Sequence, residues 1–356
     1  MLHQKLSNPE SLSLTYSAPD LLQVTQELDL AMEQVVKLKE EKKTMLSGAS
    51  SSHGEVQQQL ESVNLVEEGK EDAGFIELQE PFGSGLKTLW IAEGFVKCNG
   101  DKSLEEVAED YLKALVERNI LSVVRKKTNG KPLGYSMHDL LRDLCIKKAK
   151  EEKFLLVKNS MRHVSVQSSY EMEDVCASPQ LMSLVRYFLC THDDILSPVF
   201  GILRLIRVLD VFTVVFEKFS EEILQLVNLW YLAFSCTSGF PVGISRLWNL
   251  QTLVCGEEIS YLPPEIWEQS ELRYLRLFSI LKMDEEYMIR CVHKKLHTIT
   301  FVWFLNLVRW KADESNFPKL EHLILCNCHE LEEIPSAIGD IASLQEIEIH
   351  ECGASN

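Results

Sequence analysis

Several familiar devices are missing from this 356-residue chain. No C-x-x-C pair occurs among its ten cysteines, which are scattered through or beside apolar runs. That pattern points to reduced thiols in an intracellular setting. The opening segment Met1–Glu10 is largely polar and unlike a secretory leader. No uncharged apolar stretch reaches the roughly 18 residues of a membrane span. Positive charge is short: Lys and Arg number 36 against 53 Asp and Glu, a formal net charge of -17. A chain so acidic is repelled by nucleic acid and by anionic lipid, which makes neither the default partner. Hydrolytic signatures are absent too, with no nucleophile elbow, no His-Glu-x-x-His and no paired-carboxylate motif. The expectation is a cytoplasmic protein, or one peripheral at a membrane, and not an enzyme.

What is present is a repeat. Apolar-x-x-apolar-x-apolar recurs with central residues Leu209, Leu232, Leu253, Leu275, Ile299, Leu323 and Ile347, at spacings of 23, 21, 22, 24, 24 and 24. Weaker units in the same phase surround Val164 and Tyr187. Phe240-Pro241, Leu262-Pro263 and Ile334-Pro335 follow their strands at similar offsets, each with an isoleucine three residues after the proline. Such a unit gives a short strand, a turn and an irregular return, and only stacking buries its apolar face. Seven strands about 4.8 Å apart predict a concave sheet on the order of 30 Å long. The residues between the fixed apolar positions point outward on that sheet. Among them Trp230, Tyr231, Arg273, Tyr274, Arg276, His297 and His322 are the candidate protein-binding residues, because aromatic and arginine side chains on a rigid face suit protein recognition.

Ahead of the repeats, helix, helix, hairpin and helix follow one another. The first helix is expected over Leu86–Val96 and the second from Ser103, capped by its hydroxyl with Glu106 answering. A strand Ile120–Arg125 leads to a turn at Thr128-Asn129-Gly130, and the last helix runs His138–Lys150. This is the order of a small winged helix. Further upstream, Leu21, Leu28 and Val35 with Val24, Ala31, Leu38 and Met45 keep heptad spacing, as in a coiled coil or one helix of a bundle. The chain therefore divides into a tail and helix (1–46), a Ser/Gly and acidic linker (47–85), a winged-helix domain (86–157) and repeats (158–356). The fold class is α/β, a leucine-rich-repeat solenoid behind a winged-helix domain.

Two constellations invite other chemistry. Arg125, Lys126, Lys127 and Lys131 cluster on the wing and would suit a DNA-binding winged helix, against the acidity of the whole. Cys326, Cys328 and His329 lack a second ligand pair at zinc spacing. Cys328 sits where a repeat places Asn or Cys to bond its turn. Gly83-Ser84-Gly85-Leu86-Lys87-Thr88 only superficially evokes a phosphate loop, since Leu86 separates the glycine from the lysine.

Leu320-x-x-Leu323-x-Leu325-x-x-Cys328 followed by Ile334-Pro335 resembles the repeats of plant cytoplasmic immune receptors. So do Leu89-Trp90-Ile91-Ala92-Glu93-Gly94-Phe95-Val96, Leu104–Tyr111 and Met137-His138-Asp139. The wording is closest to the coiled-coil nucleotide-binding leucine-rich-repeat class, in its late-blight-resistance-like subgroup. The resemblance implies plant defense and a hypersensitive response, with the repeats recognising a pathogen effector, a guarded host protein or receptor domains. It also implies an ADP/ATP switch in an NB-ARC region, with His138 on the ADP phosphate. The glycine-rich phosphate loop and acidic metal strand of that region are not in this sequence. The expectation is a truncated receptor that holds no nucleotide by itself; the alternative is a regulatory fragment binding intact receptors in trans.

Overall fold

The computed structural model describes residues 85–97, 102–126, 130–137, 141–142, 145, 163–166, 182–190, 200–237, 240–256, 263–278, 293–304 and 314–353. The heptad helix at 17–46, the linker up to residue 84, and His138 lie outside them.

Two helices open the described part, α1 (Gly85–Glu93) and α2 (Leu104–Glu117). Helix α1 stops at Gly94, whose φ of +77° is the left-handed conformation that glycine adopts without strain. The N–H groups of Gly94 and Phe95 bond back to Ile91 and Trp90 and satisfy the last carbonyls. At α2 the Ser103 hydroxyl accepts from the Glu106 N–H while the Glu106 carboxylate accepts from the Ser103 N–H, the capping box the sequence predicts.

Strands β1 (Ser122–Lys126) and β2 (Pro132–Ser136) form the antiparallel wing. The wing starts two residues later than the sequence suggests. Asn119 takes φ +59° at the end of α2, and the Ile120 and Leu121 N–H groups both bond to the Leu115 carbonyl, so these two apolar residues close the turn and enter the core.

Among the described residues, the remaining strands form one parallel sheet of nine in strict chain order: β3 (His163–Val166), β4 (Tyr187–Cys190), β5 (Val208–Phe216), β6 (Tyr231–Cys236), β7 (Thr252–Gly256), β8 (Tyr274–Phe278), β9 (Thr298–Val302), β10 (His322–Cys326) and β11 (Glu346–His350). The register is the sequence repeat itself, for Leu209, Leu232, Leu253, Leu275, Ile299, Leu323 and Ile347 pair in one row. From β5 to β10 these residues and the row two further on face a continuous core closed by Phe200, Ile223, Ile244, Ile266, Phe317 and Ile338. Short 3-10 turns and one helical turn, α3 (Ser336–Gly339), make the return arc. Cys328 is fully buried, and its thiol donates to the carbonyl of Cys326, so it serves the turn. On β11, an edge strand of the ladder, Ile347 and Ile349 keep 39% and 43% exposure.

One departure from simple strand alternation stands out. All six residues of β6 and all five of β9 are buried, on both faces of the sheet. On β6 one face meets the solenoid core. The other is covered by the winged helix.

Candidate interface on the concave face

The winged-helix domain lies along the concave side of the sheet and touches strands from β3 to β11. Ala92 of α1, fully buried, packs with Val208, Tyr231 and Ala233. Next to it the Glu93 carboxylate lies 3.1 Å from His163 Nε2 on β3, while its second oxygen is buried without a partner. The His163 ring also stands 5.7 Å from that of Tyr187.

The centre of the contact is a polar socket that receives α2. The capping box fixes the first turn of that helix and aims Glu105 at the sheet. Arg273 donates from Nε and Nη2 to Glu105 Oε1, at 3.0 and 2.5 Å, and the Tyr274 hydroxyl donates to the same oxygen at 2.8 Å. Behind Arg273 stands His297, with Nε2 at 3.4 Å from Arg273 Nη2 and Nδ1 at 3.2 Å from Glu321 Oε1. These partners fit the tautomer that carries its proton on Nδ1, with Nε2 accepting from the guanidinium. Burial pushes the Glu105 carboxyl up, but the hydrogen bonds and charge of Arg273, together with the Tyr274 hydroxyl, outweigh it and hold it below its usual value. Burial first, then the charge of Glu105 and the bond to it, drive the Tyr274 phenol well above its ordinary value. Glu105 Oε2 is buried and has no partner.

At the far end the wing reaches the last strand, where Lys131 Nζ is 3.3 Å from Glu346 Oε2.

The seven residues singled out from the sequence all belong to the concave side, and their exposure differs from expectation. Tyr231 and Tyr274 are only 6% and 9% exposed, under Ala92 of α1 and Glu105 of α2, and His297 is 8% exposed between Arg273 and Glu321. Arg273 is committed to Glu105. Trp230 lies under the Arg207 guanidinium, 5.0 Å from the ring centre. Arg276 lines a narrow cavity of about 30 Å³ between the start of α1 and β6–β9. His322 stands 3.8 Å from Glu346 and keeps partial exposure. Sequence reasoning missed Glu105, Glu93 and Asp210. The capping box at Ser103 fixes where α2 begins, but nothing local marks Glu105, Glu93 or Asp210 as contacts.

Lys87, in the first turn of α1, pairs with Glu109 of α2 at 2.9 Å, and Gly85–Thr88 are helical. Among the described residues, no group of three or more His, Cys, Asp or Glu is arranged to hold a metal, Cys326 and Cys328 included. Nor, among them, is any helix long and apolar enough to cross a membrane.

Residues 84–145 match the family described as the disease resistance protein winged helix domain. The late blight resistance protein R1-A of Solanum demissum is 27% identical over 289 residues, covering 71% of this chain and 22% of that protein. The late blight resistance protein homolog R1B-14 of the same species is 30% identical over 281 residues, covering 71% of this chain and 21% of that protein. This chain is a homologue of late blight resistance proteins. It spans about a fifth to a third of the length of the curated relatives it matches. Among solved structures, a leucine-rich-repeat protein of Leptospira interrogans aligns with 54% of this chain and 44% of its own, at 18% identity and a TM-score of 0.35. The solenoid assignment for this resistance-protein homologue is read from its own strand ladder.

Proposed function

We propose that this chain is a non-enzymatic recognition switch of plant disease resistance, acting in the cytoplasm. Its concave repeat face holds the winged-helix domain in cis and releases it when a protein partner takes that face. One observation carries the reading: Tyr231, Arg273 and Tyr274, among the residues best suited to bind a partner, are those that the winged helix occupies. Two ligands of one surface exclude each other, so partner affinity and domain release are linked by the same free energy. Homology to late blight resistance proteins supports an effector or a guarded host protein as that partner. In the intact family the winged helix belongs to an ADP/ATP switch, and its release from the repeats is the step that this chain's own contacts would control.

Reversing Glu105→Arg should free α2, seen as faster amide exchange in residues 104–117 with the solenoid strands unchanged. Adding Arg273→Glu should restore protection. Unchanged exchange in the single variant would mean that the socket does not hold the domain, and the switch reading would be wrong.

A further inference from the structure

The geometry points to a site that none of the resemblances assigns. We propose that Arg273, Tyr274 and His297 form a carboxylate-recognition site, through which the concave face binds an acidic side chain of a protein partner. This rests on the reading that partner and winged helix compete for the face.

The site is built. Two guanidinium N–H groups and one phenol O–H converge on a single point, which Glu105 Oε1 now fills. His297, itself bonded to Glu321, backs the guanidinium and fixes its plane. Such a fork is matched to both oxygens of a carboxylate, one N–H to each. Glu105 does not use it so. Both arginine N–H groups crowd on one oxygen, while Oε2 is buried with no donor at all. The cis ligand is therefore tethered but poorly matched. Its advantage is proximity, since the chain itself delivers it at high effective concentration. A partner carboxylate free to approach along the fork would bond through both oxygens and leave neither without a donor. That difference lets a ligand in trans displace one already in place. The chemistry selects an Asp or Glu side chain or a chain-terminal carboxylate. It disfavours phosphate less strongly than it disfavours any cation, so the test sets carboxylate against simple anions.

The probe is carbon-13-labelled acetate with the full chain carrying Glu105→Ala, which empties the socket and leaves the solenoid core untouched. Acetate resonances should broaden saturably, and the melting midpoint should rise more in acetate than in chloride at equal ionic strength. Both effects should vanish when Arg273→Met is added. Glu105→Ser serves as a second background should the alanine variant fold poorly, with circular dichroism as the check. Broadening that survives Arg273→Met, or equal shifts in acetate and chloride, would overturn the site. If acetate binds as expected while amide exchange shows α2 still docked, the carboxylate site stands and the competition reading falls. If α2 is released and acetate does not bind, the reverse holds.

Discussion

Lys131 lies 3.3 Å from Glu346, 215 residues further along the chain, while Glu93 meets His163 at the opposite end of the ladder. The two pairs bracket the sheet: one ties the winged helix to β3, the other to β11. They are not equivalent. The Glu93 and His163 side chains are nearly buried, whereas Lys131 is mostly exposed. Exposed pairs contribute roughly 0.2–1 kcal/mol and are screened by salt. The two ends should therefore let go separately.

A double-mutant cycle on Glu93 and His163 should give a coupling of roughly 1–3 kcal/mol. The same cycle on Lys131 and Glu346 should stay within about 1 kcal/mol. Amide exchange at 0.5 M salt should rise in β1 and β2 before it rises in α1. Simultaneous release of both ends would show a rigid contact and contradict this order.

Leu323 is fully buried in the row that pairs with Ile299 and Ile347, while His322 beside it faces the concave side. Leu323→Ala should cost roughly 2–5 kcal/mol through lost burial and the cavity left behind. His322→Ala should shift the melting midpoint by little. Equal losses would mean that the strand phase is misassigned.

Asp210 on β5 accepts from the Phe212 N–H and the Tyr231 hydroxyl. Burial pushes its carboxyl up from 3.8 to about 6, more than those two bonds pull it down. A carboxyl raised on folding favours the folded state below the unfolded value and loses that contribution as pH climbs through 6. It keeps some access to solvent, so the ionised form costs roughly 1–3 kcal/mol at pH 7.5. Asp210→Asn should then melt higher than the parent at pH 7.5 and equally at pH 4. A variant that is less stable at both would show that the carboxylate bonds outweigh burial.

His293 behaves with the opposite sign. It is buried between Trp267 and Phe317, its Nε2 has no partner, and burial lowers its value from 6.5 to about 4. The unfolded chain takes up that proton first, so stability is complete above about 6.5 and falls toward pH 4, by roughly 3 kcal/mol. His293→Phe keeps the ring stack, removes the titration and should flatten the acid limb of the unfolding curve. An unchanged acid limb would assign it to other groups.

The repeat was legible because its period and its register are one fact: residues spaced by 21 to 24 in sequence become neighbours in a ladder. The capping box at Ser103 was legible for a similar reason, being complete within four residues. The exposure of Tyr231, Tyr274 and His297 was not. Strand phase fixes the side a residue takes, and it carries no information on what another domain lays over that side. Glu105 and Arg273 are 168 residues apart, and no local pattern couples them. Nor could phase anticipate Ile347 and Ile349, core residues by pattern that the edge position of β11 leaves partly open.

Strand β6 is buried on both faces, and this sets where such a surface is free to vary. A substitution at Tyr231 or Ala233 changes what a partner would meet and, in the same act, loosens the protein's hold on its own domain. New specificities cannot accumulate there one change at a time without also altering the resting state. His350 on β11, exposed and paired with Glu348 of its own strand, carries no such double duty. Sequence change that alters recognition alone has room at such exposed positions, whereas under the helices it also alters how firmly the chain restrains itself.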